Sequence, residues 1–485
     1  MRIENKAREM TNERKQILLM VAIYGLAHGP ILLLSNALFW DDWAYYNAPA
    51  KYIIKDFEFA GAFFNYAAWI HIAMMSAGIW LYKILSFLLI LGSGVLLYYI
   101  SMRDFRLNES LSFWASLIYL ASPLYIARVA NIDFIYTLSV FLFMLAWWVY
   151  YKNIALALML FFISFNTQSL LVFYAIPFAS IYVNSDLRGR PLAFARKNIT
   201  LISLPFIWYG IKQMYFKPEG PYEDYLHGIN LANIIPAAKM QWHDLKYYLI
   251  SDLFDFSNTL HLIPFLVAIC AIQLLVRRDS DNVNLHQIIK ATSIGVIFLI
   301  LGLVPYWILG YVPTSWEWTS RHQLLMPFGM CFLIVGLLSI LRNQEKHALL
   351  VVILSLFVTM NARNYLDLYN DWSKQIKIIN FLKQSPLVKE AQLVVFDDAT
   401  NNALRRKYRF YEWSGMISYA IPGEWKRFGI STGEYSDYKK GSMDEHFDRF
   451  YSSHLHQRKE GAAAVKISIK YLGNSFEIKE ESLIN

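Results

Sequence analysis

Long apolar segments alternate with short polar ones along most of the chain. A membrane span needs about 20 predominantly apolar residues, and such segments recur from residue 17 to residue 364. We predict about eleven transmembrane helices, at residues 17–38, 80–102, 110–126, 132–151, 154–166, 169–183, 198–216, 259–276, 289–311, 324–341 and 347–364. The fifth and sixth are short and are separated by the polar stretch SFNTQS, so one bent hairpin is an alternative.

The pattern changes after residue 371. The segment DWSKQIKIINFLKQSP has apolar residues at helical spacing, and AQLVVFDD is typical of a short buried strand. AVKISIKYLGNSFEIKEE alternates apolar and polar residues around a Gly-Asn turn, which predicts a hairpin. We therefore predict a transmembrane domain at residues 1–371 and a small α/β domain at residues 372–485. The basic cluster RRKYR at residues 405–409 is predicted to contact anionic headgroups or an anionic acceptor.

Lysine and arginine are concentrated on one side of the predicted spans. They are frequent in the N-terminal flank and in the loops near residues 103–106, 188–197 and 277–290. The positive-inside rule places that side in the cytoplasm. The N-terminus is then cytoplasmic, and the C-terminal domain is extracytoplasmic. This topology places two long loops on the outer side, at residues 39–79 and 217–258.

Composition supports a membrane protein. The 485-residue chain is 56% hydrophobic and only 17% charged, whereas soluble domains carry about 25% charged residues. The net charge of +8 is spread over short loops, so we expect no nucleic-acid partner. Cys270 and Cys331 lie inside apolar segments and predict neither a disulfide framework nor a metal site.

An acidic pair follows the first apolar segment, in NALFWDDWAYYNAPAKY. Asp41 and Asp42 lie between Trp40 and Trp43, with Tyr45 close behind. Two adjacent carboxylates among aromatic rings repel each other, and such a cost is usually kept for function. The alternative is an interfacial cap within an aromatic belt. Asp41 is nearer to the first span and is expected to be the less hydrated of the two.

This first outer loop, with its acidic pair and a following aromatic interfacial stretch, resembles that of the GT-C superfamily of integral-membrane glycosyltransferases. Protein O-mannosyltransferases, aminoarabinose transferases of lipid A and O-antigen glucosyltransferases belong to it. The resemblance implies a GT-C-like transmembrane catalytic domain and a polyprenyl-phosphate-linked sugar donor. It also implies that an acid of this loop is the catalytic base or positions the acceptor. The acceptor would be a cell-envelope glycan, such as lipopolysaccharide, or a lipid or protein.

A second stretch, WEWTSRHQLLMPFG, places Arg321 and His322 where an outer loop re-enters the membrane. Arginine has a planar, permanently charged donor group that suits a phosphate. With the preceding Trp316 and Trp318, these residues are predicted to bind the donor. The alternative is an arginine that only anchors the chain at the interface.

A third stretch, YIARVANIDF, places Arg128 and Asp133 in the short second outer turn. The resemblance implies that Asp133 faces the acids of the first outer loop and that Arg128 helps to bind the donor phosphate. The alternative is an Arg–Asp pair that closes a helix hairpin. Asn166 and Gln168 lie at membrane depth, where they either bind sugar hydroxyls or satisfy a broken backbone.

We therefore expect an enzyme, a multi-pass glycosyltransferase of the bacterial inner membrane that acts on its outer face. The predicted catalytic residues are Asp41, Asp42 and Asp133, and the predicted substrate contacts include Trp40, Trp43 and Tyr45. No cofactor is required, although a divalent cation shared by the three acids is compatible with these residue types. The alternatives are a lipid-linked glycan flippase, a Wzy-like glycan polymerase, and a non-catalytic assembly protein. The clustering of acids at outer ends and the few outer-loop arginines favour the transferase.

The charge bias generates a test of topology. Reporters fused near residue 105 or residue 190 are expected to read cytoplasmic, and those near residue 230 or at the C-terminus to read outside. Paired alkaline phosphatase and green fluorescent protein fusions measure this directly. A cytoplasmic C-terminus would show that the span count is wrong, and a cytoplasmic 41–42 loop would remove the basis for the transferase.

Overall fold

The protein is mostly helical, with one small sheet near its C-terminus. The computed structural model describes residues 2–225, 230–248, 259–275, 283–312, 314–315, 317–400, 406–421, 428–439, 464–472 and 475–483. The first helices are α1 (Arg2–His28), α2 (Asp42–Tyr45), α3 (Ala50–Phe59), α4 (Tyr66–Ala77), α5 (Ile79–Arg103), α6 (Glu109–Ala121), α7 (Phe134–Val149), α8 (Ile154–Ser164), α9 (Ser169–Phe173) and α10 (Ala175–Val183). The others are α11 (Pro191–Lys197), α12 (Ile199–Tyr215), α13 (Ile234–Lys246), α14 (Thr259–Leu275), α15 (Leu285–Ile308), α16 (Met326–Leu338), α17 (Asn343–Gln384), α18 (Pro386–Glu390), α19 (Phe410–Ala420) and α20 (Thr432–Lys439).

Each apolar segment of the sequence coincides with a helix. Within the described residues, 4 helical segments are long and apolar enough to cross a membrane, namely Glu13–Leu34, Ile79–Arg103, Leu285–Ile308 and Asn343–Gln384. Other apolar helices are shorter; α16, for example, has 13 residues, which is roughly 20 Å at 1.5 Å per residue. Several apolar helices thus indicate a membrane-embedded helical protein, while the number of spans stays a prediction.

Small residues let the helices of the bundle approach closely. A Cβ atom added at Gly295 of α15 would lie 2.5 Å from the backbone nitrogen of Leu333, and one at Gly329 of α16 would lie 2.6 Å from that of Leu299. The two backbones therefore touch without side chains between them. This is a frequent way of packing helices in a lipid environment, where apolar burial alone gives little driving force.

Loops predicted to share one side of the membrane lie at the same end of the bundle. Arg103, at the end of α5, donates to the Trp148 carbonyl at 2.7 Å. Asn184, after α10, donates to the Asp104 carbonyl at 2.9 Å. These contacts join three of the loops that were predicted to be cytoplasmic. The first outer loop meets the short second outer turn elsewhere, as described for the site below.

The last apolar helix continues beyond the predicted boundary. Helix α17 has 42 residues and is roughly 63 Å long at 1.5 Å per residue. The predicted span at residues 347–364 and the predicted helix DWSKQIKIINFLKQSP are two parts of it. The proposed division between residues 371 and 372 therefore falls inside one continuous helix. Its second half packs on the sheet.

The sheet has four strands in the order β2-β1-β3-β4, formed by β1 (Leu393–Asp398), β2 (Phe428–Ser431), β3 (Ala464–Leu472) and β4 (Ser475–Leu483). Strand β1 is parallel to both of its neighbours, and β3 pairs antiparallel with β4. The predicted strand AQLVVFDD and the predicted hairpin are thus confirmed. Val394 and Phe396 of β1 pack against α17 and α19. Leu393 and Val395 pack on the other face in a separate apolar cluster, so both faces are buried and the sequence of β1 does not alternate.

Candidate functional site

Asp42 is the buried member of the acidic pair. Its side chain is 2% exposed; one carboxylate oxygen accepts the Phe39 N–H at 3.1 Å and the other the Ile132 N–H at 2.9 Å. Burial raises the pKa of Asp42, whereas the nearby Lys83 ammonium and the backbone N–H groups lower it. Because its two carboxylate oxygens accept hydrogen bonds from backbone N–H groups of different segments, Asp42 joins the first outer loop to the second outer turn.

Asp41 lies at the rim of the same cluster and is only partly buried. The expectation that Asp41 is the less hydrated of the two is therefore wrong. The reason is local geometry: Asp42 is the first residue of α2 and points inward to the backbone donors, while Asp41 precedes the helix and faces Tyr411 of α19. Among the described residues, no backbone N–H donates to Asp41, and a partly exposed carboxylate of this kind is accessible to a substrate.

Asp133 completes a group of three acids. It is fully buried, and neither carboxylate oxygen has a hydrogen-bond partner within the described part of the chain. Burial raises the pKa of Asp133 well above its usual range; Arg321 opposes this, and Asp41 and Asp42 add to it. The structure thus brings Asp133 near both first-loop acids and near Arg321. Burial therefore favours the protonated form of this carboxyl group over the ionised one.

Arg128 does not form the Arg–Asp pair considered as an alternative for this turn: no such ion pair with Asp133 occurs among the described residues. Its guanidinium donates to the carbonyls of Tyr125 at 2.5 Å and Ser122 at 3.1 Å, and lies 3.3 Å from the His28 ring. These carbonyls follow the C-terminal end of α6, where a cation is favoured. Arg128 therefore closes the turn through backbone carbonyls instead of a carboxylate.

Arg321 is held against an aromatic wall. Its guanidinium carbon lies 4.4 Å from the centre of the Trp318 ring, and the rings of Trp318 and Trp40 are 5.7 Å apart. Trp40 has a φ of 51°, an uncommon left-handed conformation for a bulky residue that the surrounding contacts maintain. These contacts therefore restrict the orientation of the Arg321 guanidinium, whose charge acts on Asp133.

His322 lies between two tyrosine rings. Its ring centre is 5.0 Å from that of Tyr306 and 5.1 Å from that of Tyr311, with which it stacks at 10°. Burial and the charge of Arg321 lower the pKa of His322 to about 3. His322 is thus neutral at physiological pH. It can offer a hydrogen bond to a phosphate but no positive charge.

Trp43 and Tyr45 have structural partners. Trp43 is 0% exposed, and its indole N–H donates to the Gln375 side chain of α17 at 2.9 Å. A Cβ atom at Gly415 of α19 would lie 2.5 Å from the Trp43 carbonyl oxygen. The predicted substrate contact of Trp43 is therefore corrected, because this side chain anchors the first outer loop to the C-terminal region. Tyr45 donates to Asp56 at 2.5 Å.

The polar turn at residues 165–168 joins α8 to α9, as in the bent hairpin considered above. Asn166 is partly buried and Gln168 is exposed. The neighbouring Ser169 hydroxyl accepts a hydrogen bond from Tyr306 at 3.0 Å, which places this turn near the Arg321 segment. Trp316, the remaining predicted substrate contact, lies outside the described residues.

Sequence reasoning missed the part that the C-terminal region plays in the site. Arg406 is paired with Asp371 at 3.2 Å and with Glu412, and lies 5.1 Å from the centre of the Trp40 ring. Only 11% of its side chain is exposed, and both of its acidic partners are buried, so the predicted contact with headgroups or acceptor is wrong for Arg406. Arg409 lies at the rim near Asp41 and Glu317. The alternation of basic and aromatic residues in RRKYRFYEW was the only signal available.

Two cavities lie near these residues. One of about 470 Å³ lies beneath the first outer loop, and its lining includes Tyr46, Ser76 and Trp80. A narrow one inside the bundle is lined in part by Tyr125 and Arg128. None of the three acids lines either cavity. Over the described ranges, no three acid, histidine or cysteine side chains are grouped as a metal site would require.

No protein-family model matches the chain, and neither a curated protein nor a solved structure is significantly similar to it. The chemistry of the site therefore rests on its own residues.

The two adjacent acids are expected to differ in their effect on stability. Asp42→Asn places an amide NH₂ against the Phe39 or Ile132 N–H and removes the negative charge near the buried Lys83. We expect a loss of about 2–4 kcal/mol in the free energy of unfolding. The matched variant Asp41→Asn should lose less than about 1 kcal/mol, because its side chain is partly exposed. Thermal unfolding of both variants in the same detergent measures the difference, and equal losses would contradict the assignment of Asp42 as the structural acid.

Proposed function

We propose that the protein is a membrane glycosyltransferase that moves a sugar from a polyprenyl-phosphate donor to a cell-envelope acceptor. The observation that carries the proposal is the meeting of three carboxylates from two loops with Arg321 at one end of the bundle. A sugar transfer of this kind needs a base at the acceptor hydroxyl and a cation at the departing phosphate. The cluster offers residues of both types within one small region.

The proposed topology has about eleven spans, a cytoplasmic N-terminus and an extracytoplasmic C-terminus. It places the acid cluster on the outer face of the bacterial inner membrane. A lipid-linked donor can present its sugar there without a cytosolic nucleotide. The lysine and arginine bias of the loops and their grouping at one end of the bundle support this orientation.

In the proposed reaction, Asp41 accepts the proton of the acceptor hydroxyl. The acceptor oxygen forms a bond to the anomeric carbon as the bond from that carbon to the phosphate oxygen breaks. The electron pair leaves with the lipid phosphate, where Arg321 stabilises the developing charge. Burial raises the pKa of Asp133, which favours its protonated form, and in that form the carboxyl group donates a hydrogen bond to the same phosphate. No step requires a cofactor or a divalent cation.

Incubation of the purified protein with radiolabelled polyprenyl-phosphate sugars and a cell-envelope extract tests the function. We expect label in a non-donor product that depends on the protein. Reconstituted vesicles with the same donors separate the alternatives, since a flippase would move the donor across the bilayer without transfer. Elongation of a supplied lipid-linked glycan would instead identify a polymerase. Either result would overturn the proposal.

Asp41→Asn should abolish most of the transfer while the protein folds and inserts normally. The amide keeps the shape of the side chain but cannot accept the acceptor proton, so we expect at least about a 100-fold loss of kcat. Donor binding should be nearly unchanged. Transfer is measured at matched protein level, and near-normal turnover would show that the acidic pair is only an interface feature.

Arg321→Ala should raise the free energy of the transition state by roughly 2–4 kcal/mol, because one charged contact to the phosphate is lost. Arg321→Lys should recover only part of the activity, since the ammonium lacks the planar arrangement of donors. Steady-state kinetics with varied donor, together with a thermal unfolding control, separates this from misfolding. Wild-type kcat/KM in the alanine variant would rule out the phosphate role.

A further inference from the structure

The cavity beneath the first outer loop lies where two apolar helical segments end. Asn36 follows the segment Glu13–Leu34, and Trp80 is at the start of the segment Ile79–Arg103. Tyr46, directly after α2, and Ser76, near the end of α4, form further walls. The volume of about 470 Å³ falls within the range of roughly 300–1,000 Å³ that is usual for small-molecule sites. The cavity is therefore large enough to hold a ligand.

The lining of this cavity combines aromatic rings with neutral polar groups. The rings belong to Tyr46 and Trp80. Asn36, Asn47 and Ser76 are exposed residues of the lining, and they supply two amides and a hydroxyl. The other described lining residues are apolar or small, and no acidic or basic residue is among those that the structure describes here.

Two uncommon backbone conformations shape the walls. Gly78 has a φ of 119°, which residues with a Cβ rarely adopt, and a Cβ atom there would lie 2.7 Å from the indole nitrogen of Trp80. Asn47 has a φ of 59°, and the neighbouring Tyr46 ring lies 5.3 Å from that of Tyr419. Such conformations persist where the surrounding structure maintains them, and they are frequent at binding sites. The walls are therefore in place before a ligand arrives.

The neutral lining restricts the class of ligand. A phosphate or a carboxylate that leaves water needs a cationic partner, and the described lining contains no lysine or arginine. A lipid chain offers no partner to two amides and a hydroxyl. An uncharged saccharide matches both parts of the lining, because its C–H faces pack on aromatic rings and its hydroxyls donate to and accept from amides.

We propose that this cavity is a binding site for an uncharged saccharide. The rings of Tyr46 and Trp80 pack on the faces of the sugar, and the amides and the hydroxyl of the lining bind its hydroxyl groups. Nothing in this assignment depends on the acids or on Arg321, since none of them lines the cavity.

The position of the cavity gives it a role in acceptor recognition. Asp41 lies at one end of α2 and Tyr46 at the other, and the helix has 4 residues, which is roughly 6 Å at 1.5 Å per residue. In the transferase, the cavity holds sugar units of the acceptor glycan away from its reacting hydroxyl. This role rests on the proposed glycosyltransferase function, whereas saccharide binding by the cavity does not.

Saturation-transfer NMR on the full-length protein in lipid nanodiscs tests the binding. The probes are uncharged trisaccharides of glucose, mannose, galactose and N-acetylglucosamine, with a trisaccharide of galacturonic acid as the anionic comparison. We expect a neutral trisaccharide to bind and the anionic one not to bind. Trp80→Ala should weaken this binding on the order of 10-fold, because aromatic anchors carry much of the binding energy of a site. The matched control is Trp69→Ala, since Trp69 is an exposed tryptophan of α4 that does not line the cavity.

Ser76→Trp is a second variant. Ser76 is exposed, so a larger ring should fill the cavity without disturbing the core, and we expect it to abolish the binding. Thermal unfolding of each variant checks that the protein is folded. No binding of any neutral probe, equal binding of the anionic probe, or unchanged binding in both variants would overturn the site. A phospholipid that Ser76→Trp expels, without saccharide binding, would overturn it in favour of a lipid site.

Kinetics then test the role in acceptor recognition. Trp80→Ala should raise the KM for the acceptor on the order of 10-fold and leave kcat and the KM for the donor nearly unchanged, because its contacts are the same in the ground state and the transition state. Trp69→Ala should change none of these values. An unchanged acceptor KM in Trp80→Ala would overturn the acceptor role. Saccharide binding by a protein that transfers no sugar would keep the binding site and reject the glycosyltransferase function.

Discussion

The burial of one carboxylate, that of Asp42, is the constraint on which the rest of the site depends. A buried charge is unfavourable unless donors surround it. Here the donors are backbone N–H groups of the first outer loop and of the second outer turn, with Lys83 as a nearby cation. Each hydrogen bond to such a group is worth about 1.5–3 kcal/mol. The two loops can therefore satisfy Asp42 only when they lie together, and this arrangement brings Asp41 and Asp133 close to one another.

A second network extends this junction to the C-terminal region. Trp43 donates to Gln375 of α17, and Gln375 donates to Asp371 at 2.8 Å. Asp371 is paired with Arg406, whose guanidinium lies over Trp40 of the first outer loop. The network returns to the loop from which it began. Because α17 is one continuous helix, the sheet and the apolar bundle are joined through a rigid element as well as through these contacts.

The acids of the cluster have different surroundings, which differ in burial and in hydrogen-bond donors. Asp42 is held by backbone donors, Asp133 is buried near Arg321, and Asp41 is partly exposed below Tyr411. Clusters of like charges with different hydration are typical of sites where groups of different proton affinity act together. The two adjacent acids are therefore not equivalent: Asp42 is buried and hydrogen-bonded to the backbone, and Asp41 is accessible.

The sequence by itself determined the apolar helices, the strand AQLVVFDD and the C-terminal hairpin, because periodicity and length act over neighbouring residues. It also singled out Asp41, Asp42, Asp133 and Arg321 through residue type and position. Only the tertiary structure decided that Asp42 is the buried acid, and that Arg406 and Tyr411 approach the first outer loop. The burial of Asp42 depends on a contact with Ile132, 90 residues away. The approach of Arg406 and Tyr411 depends on contacts between segments more than 350 residues apart, since the loop begins near residue 39 and α19 begins at Phe410. Burial and charge pairing are properties of the packed chain, and no local pattern carries them.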